Sequence, residues 1–536
     1  MNKERKQMKR FSSRALPVAS ALAMMVAAPA AAEPTEEMRA AAITGVDDRA
    51  ELVQEMVDSI FSFAEPGFQE FQTQAYVTQI LEANGFTIEL GSAGIPSAWT
   101  ATWTHGQGGP KIGLGSDVDA LLGLSQVPGV GEVTPQIPGA PGHGEGHNSG
   151  MAVMVAAALA VKDIMEAEDI PGTLMIWPGI AEELLATKAF FVREGMFDGV
   201  DANIFTHVSR DFSTSYGRGR GNGMVSVEYT FHGKTSHGAG APWAGRSALD
   251  GVELMNIAWN MRREHLPITQ RSHYVITNGG GQPNIVPGEA SVWYYFRDHT
   301  FEGIRELYDI GNTISEAAAA ATGTTVERRT LGYAAPQWAN KPMAEAAFAN
   351  IQAVGMPEWT EEDQAFALML QETNELDVEP LVTEIEEMEA DEEFTPTGGG
   401  SDDIGDIMWT VPTITIRFPS NVPSMIGHNV TAAMAMATPI AHKGAVAGAK
   451  AVALTTLDLL TTPELLAEAK RYQEEVQFAE DTYAPVLSEE DMPGIHLNTE
   501  IMARMRPQMQ EYYYDPERYD SYLEQLGIAY PTGATE

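Results

Sequence analysis

Between residues 224 and 331 the chain reads strand, helix, strand, strand, helix, strand. The pattern predicts strand 224–231, helix 246–264, strands 273–278 and 290–297, helix 302–321 and strand 324–331. This β-α-β-β-α-β order is the ferredoxin-like split arrangement. A Gly-rich run, Gly217-Arg218-Gly219-Arg220-Gly221-Asn222-Gly223, precedes it and marks a hinge. The module is therefore expected as a compact domain inserted into another.

The outer part has a different rhythm. From Asp48 to Phe63 the residues Leu52, Met56, Ile60 and Phe63 recur at helical spacing. Gly85–Leu90, Ser97–Trp103 and Lys111–Gly115 read as strands, Gly150–Glu168 as an Ala-rich helix, and Gly172–Trp177 and Ala202–Thr206 as short buried strands. After Pro336 the alternation resumes with strand Thr413–Phe418 and helix Ala441–Leu460. Such alternation predicts an α/β fold with a mixed sheet and helices on both faces. A length of 536 residues is too great for one ordinary core. The expected division is 33–220 and 336–465 for the outer domain, 221–335 for the inserted one, and 466–536 for an acidic, Tyr-rich, helical appendage.

Residues 1–32 read as a targeting segment. Lys3, Arg5, Lys6, Lys9, Arg10 and Arg14 form a basic start, Ala15 to Ala28 an apolar run, and Ala30-Ala31-Ala32 a small-residue cleavage site. That is the pattern of a signal peptide, so the mature chain is expected to be secreted or periplasmic. The run is shorter than the roughly 20 residues a spanning helix needs, and no other stretch reads as apolar enough to cross a bilayer. A net charge of −41 argues against nucleic acid and against anionic membranes as partners. The chain has no cysteine, which excludes disulfides, thiol nucleophiles and thiolate metal sites.

Polar clusters follow the predicted strands at their carboxyl ends, where open α/β sheets bind ligands. Ser116-Asp117-Val118-Asp119 follows Lys111–Gly115, Glu182-Glu183 follows Gly172–Trp177, His207 closes Ala202–Thr206, and His428 lies past Thr413–Phe418. The densest signal is His143-Gly144-Glu145-Gly146-His147-Asn148, where glycines let Glu145 and His147 converge on one point. Each cluster alone has a plainer reading: a surface histidine, a solvated helix start for Glu182-Glu183, or a capped turn for Asp117 and Asp119. Their co-occurrence at several strand ends, with no cysteine to compete, favours oxygen and nitrogen ligands suited to Zn²⁺ or Mn²⁺.

A family resemblance enters through particular segments. Phe63-Ala64-Glu65-Pro66-Gly67-Phe68, Ser116 to Leu121, Gly142 to Asn148, Ala181-Glu182-Glu183 and Gly233-Lys234-Thr235-Ser236-His237 resemble the M20 metallopeptidase/amidohydrolase family. Ala241 to Asp250, Asn284-Ile285-Val286-Pro287 and Gly400 to Asp406 point the same way. Within the family the likeness is to the aminobenzoyl-glutamate hydrolase group, over roughly residues 45 to 465, in the order of the family's motifs.

The resemblance implies a di-metal catalytic domain carrying an inserted ferredoxin-like lid and dimerisation domain. It implies two divalent ions per subunit, held by Glu145, His147, Glu183, His207 and His428. It makes Glu182 the general base and His237 an oxyanion-stabilising residue that reaches a partner's site in a homodimer. Asp119 would orient a metal-binding histidine, and Asn284 and Arg297 would lie near the substrate. The implied reaction is hydrolysis of the amide bond of an N-acyl or N-aroyl amino acid, such as aminobenzoyl-glutamate. Arg297, Lys234, Arg246, Arg218 and Arg220 are the cations available for a substrate carboxylate.

Members of this branch usually carry Cys where this chain has Glu145, in a His-Gly-Cys-Gly-His loop. A carboxylate is the harder ligand and favours Mn²⁺ or Zn²⁺ over softer ions. The same change leaves open a non-catalytic exported binding protein with a degenerate site, and a metallo-dipeptidase or aminoacylase is a second enzyme reading. No Gly-x-Ser-x-Gly elbow and no His-Glu-x-x-His helix are present, which argues against serine hydrolase and zincin chemistry.

Overall fold

A computed structural model describes residues 33–185, 187–219, 221–388 and 399–531. The expected signal peptide, residues 1–32, lies outside the described residues, as does Arg220. In chain order the strands are β1 (Thr87–Leu90), β2 (Trp99–His105), β3 (Lys111–Asp117), β4 (Gly172–Gly179), β5 (Ala202–Ser209), β6 (Gly217–Arg218), β7 (Gly223–His232), β8 (Arg271–Asn278), β9 (Glu289–Asp298), β10 (Thr325–Ala334), β11 (Trp338–Ala339) and β12 (Thr413–Pro419).

Six of them form a mixed sheet in the order β1-β2-β4-β3-β5-β12. β4, β3, β5 and β12 run parallel, while β1 and β2 form an antiparallel edge. The four parallel strands therefore end along one edge of the sheet, and their sequels meet there. β3, β4 and β5 each run two or three residues beyond the apolar runs that announce them. Strands paired on both sides keep their ladder hydrogen bonds through polar residues, so Ser116, Asp117 and His207 sit inside strands.

The His147–Ala167 helix packs on β3 and against the Pro439–Thr461 helix, which also lies on β12. Pro439–Thr461 is long and apolar enough to cross a membrane, contrary to the sequence reading. It is instead a core helix: 89% of its most apolar window is buried, with Leu454, Leu457 and Leu459 inside. Only one face, with His442, Lys443 and Lys450, is polar and half-buried, and each of the three pairs with a carboxylate.

The inserted domain is a separate antiparallel sheet, β10-β7-β9-β8, covered by helices Ala248–Arg263 and Phe301–Thr322. This is the expected βαββαβ order, with an aromatic core of Tyr229, Trp259, Tyr294 and Phe296. Its edge strand β8 exposes Val275 and Ile276, and the neighbouring helix exposes Ile257 and Met261. Gly217–Arg218 and Trp338–Ala339 pair as a short ladder where the chain passes between the domains.

The C-terminal tail carries helices Pro463–Tyr472, Thr499–Met509 and Tyr522–Leu526, with irregular chain over 481–498. It runs over both domains. Arg305 and Arg329 of the insert donate to the carbonyls of Pro485 (3.2 Å) and Pro493 (3.1 Å). On the outer domain, Tyr522 N–H donates to Asp58 and Tyr514 N–H to Ser62.

Candidate metal centre

The loop 143–147 enters the His147–Ala167 helix through Gly146, whose φ of 105° is open to glycine and strained for other residues. A Cβ there would also lie 2.5 Å from Met436 Sδ. Beyond β4, Ala181 (φ 52°) and Leu185 (φ 50°) are both left-handed and bracket the tight turn Glu182–Leu184. Non-glycine residues in that region cost on the order of 1–2 kcal/mol each, and here the turn brings two adjacent glutamates to one centre. His428 is left-handed as well (φ 57°).

Glu145, His147, Glu183, His207 and His428 come together. The two oxygens of Glu145 face two imidazoles: Oε1 lies 3.8 Å from His207 Nε2, and Oε2 accepts from His428 Nε2 at 2.9 Å. His428 Nε2 is also 3.4 Å from Glu183 Oε2. His147 sits behind, Nδ1 3.8 Å from Glu183 and Nε2 3.9 Å from Glu182. Its ring meets that of His207 edge-on, 5.5 Å between centroids. His207 Nδ1 lies 2.8 Å from the Val208 carbonyl and 3.3 Å from the Arg417 guanidinium, while Nε2 faces Glu145. Asp119 lies 3.5 Å from His147 Nδ1 through one oxygen and accepts the Glu183 N–H at 3.0 Å through the other.

The donor atoms fit a divalent cation. Both ring nitrogens of buried His147, Glu183 Oε2 and Asp119 Oδ1 have no hydrogen-bond partner, a costly state that a cation would relieve. Ligand atoms of Glu145, His147 and His207 lie within 4.8 Å of one another, as do those of Glu145, His147, Glu182 and Glu183. The two groups share Glu145 and His147. All donors are oxygen or nitrogen, the set that suits Zn²⁺ or Mn²⁺.

The electrostatics follow from burial and mutual contact. Burial pushes Glu183 up to about 8, with Asp119 and Glu145 adding to the effect. Burial and the neighbouring Asp117 and Asp402 drive Glu182 well above the carboxylate range. Glu145 behaves oppositely: burial is overcome by the hydrogen bond from His428 and by the other two histidines, so its carboxyl is held low. Burial, helped by Arg417, pushes His207 down to about 4.

Glu145, Glu182, Glu183, His207 and His428 line one wall of a cleft of about 820 Å³ between the two domains, and His147 and Asp119 are buried behind them. The inserted domain supplies Tyr295, whose hydroxyl donates to the Leu184 carbonyl at 3.3 Å, and Arg297. Arg297 donates to Ser401 at 3.0 Å and keeps a buried, unpaired Nε. Arg218 and Arg417 also line the cleft; Lys234 and Arg246 do not. His237 and Asn284 are not among its lining residues either. They lie together on the exposed end of the insert, where Gly238 N–H donates to the Asn284 carbonyl at 2.8 Å. His237 Nδ1 accepts the N–H groups of Ala239 and Gly240. Its hydrogen therefore sits on Nε2, as an outward donor.

Sequence reasoning missed Lys188, which is fully buried behind Glu182 among Asp117, Asp402 and Asp403. A lysine directly before the apolar stretch Ala189-Phe190-Phe191-Val192 is the only local signal for it. His143, first in the Gly-rich loop, turns away from the centre and donates to the Ile60 carbonyl at 3.1 Å.

Comparison with known proteins gives a consistent set of likenesses. The family model described as the M20 peptidase dimerisation domain matches residues 221–322. A p-aminobenzoyl-glutamate hydrolase subunit of Escherichia coli (strain K12) is 32% identical over 463 residues, covering 81% of this chain and 94% of that protein. The Xaa-Arg dipeptidase of Mus musculus is 26% identical over 451 residues, covering 81% and 92%. Among solved structures, the aminobenzoyl-glutamate utilization protein from Klebsiella pneumoniae superposes with a TM-score of 0.53 at 16% identity, covering 77% of this chain and 96% of that one. That last likeness is one of fold.

Proposed function

Since the chain belongs to the M20 peptidase family and is a metal-dependent hydrolase, we propose that it hydrolyses the amide bond of an N-acyl or N-aroyl amino acid, aminobenzoyl-glutamate among them. The observation that carries this reading is the convergence of Glu145, His147, Glu183, His207 and His428 beside Glu182 at one wall of the cleft. The E. coli relative named as an aminobenzoyl-glutamate hydrolase supports the substrate class.

Those five residues would hold two divalent ions, Zn²⁺ or Mn²⁺, per subunit. When bound, such ions would supply Lewis-acid activation of a water molecule and of the scissile carbonyl. Glu182, whose pKa burial and neighbouring carboxylates raise, takes the proton of the attacking water and passes it to the leaving amine. Asp119 fixes His147 and the Glu183 backbone, so the two turns keep their spacing. Arg297 reaches the cleft with an unsatisfied donor and receives a substrate carboxylate.

His237 donates from Nε2 to the developing oxyanion in the site of a partner copy. The dimerisation domain and the exposed Val275, Ile276, Ile257 and Met261 support a homodimer. The basic and apolar N-terminal pattern supports export to the periplasm or beyond.

A second reading is favoured by acidic lining. Asp211, Glu386 and Glu387 also face the cleft and suit a cationic substrate group, as in a dipeptide ending in a basic residue. Metal analysis and a hydrolysis panel test both: aminobenzoyl-glutamate, N-acetyl amino acids and Xaa-Arg dipeptides. Preference for the first two classes supports the proposal, and preference for basic dipeptides selects the second reading. Glu182→Gln should lower kcat by about 10²-fold or more with metal content unchanged. Near-normal turnover would remove Glu182 from the role of base.

A further inference from the structure

One loop, residues 65–70, touches both carboxylate-bearing turns of the centre. The backbone carbonyl of Glu65 accepts the N–H of Ala120, one residue past Asp119, at 2.8 Å. The Glu70 carboxylate accepts the N–H of Ala181, one residue before Glu182, at 2.9 Å. Gly67 packs so tightly under Ala181 that an added Cβ would come within 2.8 Å of the alanine methyl. A shift of this loop therefore moves Asp119, Glu182 and Glu183 together.

What fixes the loop comes from the far end of the chain. Glu65 has no exposed surface, and its carboxylate accepts the N–H groups of Gln72 (3.0 Å) and Thr73 (2.8 Å). It thereby caps the Phe71–Ala83 helix, whose own N-cap residue, Glu70, makes no side-chain cap bond. Two backbone donors do not neutralise a buried carboxylate. The compensating charge is Arg506, on the Thr499–Met509 helix, which ion-pairs with Glu65 and also donates to the Gln69 carbonyl at 2.7 Å. Asn498 donates to the Gly67 carbonyl at 2.9 Å, and Met502 and Met509 pack with Ala64 and Ala120.

We propose that Arg506 is a positioning residue for the metal centre: through Glu65 the C-terminal tail sets the loop that sets Asp119 and the Glu182–Glu183 turn. This rests on the metal-centre reading given above. Groups one step behind metal ligands tune affinity because a ligand atom displaced slightly from its place binds poorly.

The test uses the full chain, stripped of metal, with Mn²⁺ or Zn²⁺ titrated back at neutral pH and the melting temperature of the stripped protein measured in parallel. Arg506→Met should weaken metal binding about 10–100-fold, and Arg506→Lys should recover most of that loss. Glu65→Gln combined with Arg506→Met removes both charges; it should restore the melting temperature while metal binding stays weak. Wild-type affinity in folded Arg506→Met would make the pair purely structural and overturn the inference. So would recovery of affinity in the double variant, which would trace the defect to an unpaired charge. A wild-type chain that binds no metal would instead overturn the reading of the centre itself.

Discussion

The ammonium of Lys188 lies 2.6 Å from Asp117 Oδ1, and no part of the lysine side chain is exposed. Asp403 makes a second close contact and Asp402 lies at 3.9 Å. Asp117, Asp402 and Glu182 themselves crowd within 4.8 Å. One cation thus offsets several buried carboxylates behind the proposed base. Burial drives Asp117 up, Lys188 pulls it back, and the balance stands at about 7. Lys188→Met keeps the length and removes the charge, leaving the carboxylates uncompensated. Its unfolding free energy in denaturant should fall by about 3–5 kcal/mol. A loss below about 1 kcal/mol would mean that the carboxylates do not depend on this lysine for compensation.

Metal binding should be coupled to proton release. Burial opposes the charged form of His147, but Asp119 and the neighbouring carboxylates overcome it and hold its pKa well above the ordinary value. Burial lifts Glu183 to about 8. At neutral pH both carry protons that a cation must displace. Glu145 is held low and adds no such competition. Raising the pH removes the competing protons, so apparent affinity for Mn²⁺ or Zn²⁺ should climb from about pH 6 to about pH 8. Metal titrations in buffers across that range read the slope directly. A flat profile would contradict the proton-bearing state of these two side chains.

How far the sequence discloses this arrangement depends on the range over which each feature is encoded. Strands β3, β4, β5 and β12 are local apolar runs, and the residues at their ends inherit their positions from strand order. The insert is legible for the same reason, since each of its six elements carries its own periodicity. Lys188 is not legible: its partners stand 71 and 215 residues away, and no local period encodes such a pairing. Arg506 and Glu65, 441 residues apart, are hidden in the same way. The Pro439–Thr461 helix shows a different limit, because length and mean apolarity read alike for a core helix and for one that crosses a bilayer.

His143 should give the fold an acid-labile element. Burial, reinforced by the charge on His147, pushes it from 6.5 down to about 3. Below 6.5 the unfolded chain takes up a proton that the folded chain refuses. Stability is therefore lost as pH falls from 6.5 toward 3, by about 1.4 kcal/mol per pH unit for one such group. His207, held at about 4, adds a parallel loss in metal-free protein. Replacing His143 with Gln removes the titrating group, so unfolding free energy should depend less steeply on pH between about 6 and 4. Denaturant titrations of both proteins across that range check this, and identical slopes would assign the acid sensitivity elsewhere.

His237 and Glu182 should complement each other between chains. Within one chain His237 stands on the exposed end of the insert and does not line the cleft, while Glu182 does. Its Nδ1 is occupied by two backbone N–H groups, so only Nε2 is free to donate. If that donor serves a partner's site, His237→Ala and Glu182→Gln are each inactive as homodimers but not when mixed. In a mixed dimer the chain with intact Glu182 receives an intact His237 from the other. Random assortment makes half the dimers mixed, each with one working site, so about a quarter of wild-type activity should return. Coexpression with two affinity tags isolates the mixed species for assay. If His237 acted within its own chain, no site in the mixed dimer would hold both residues, and the isolated species would be as inactive as either parent.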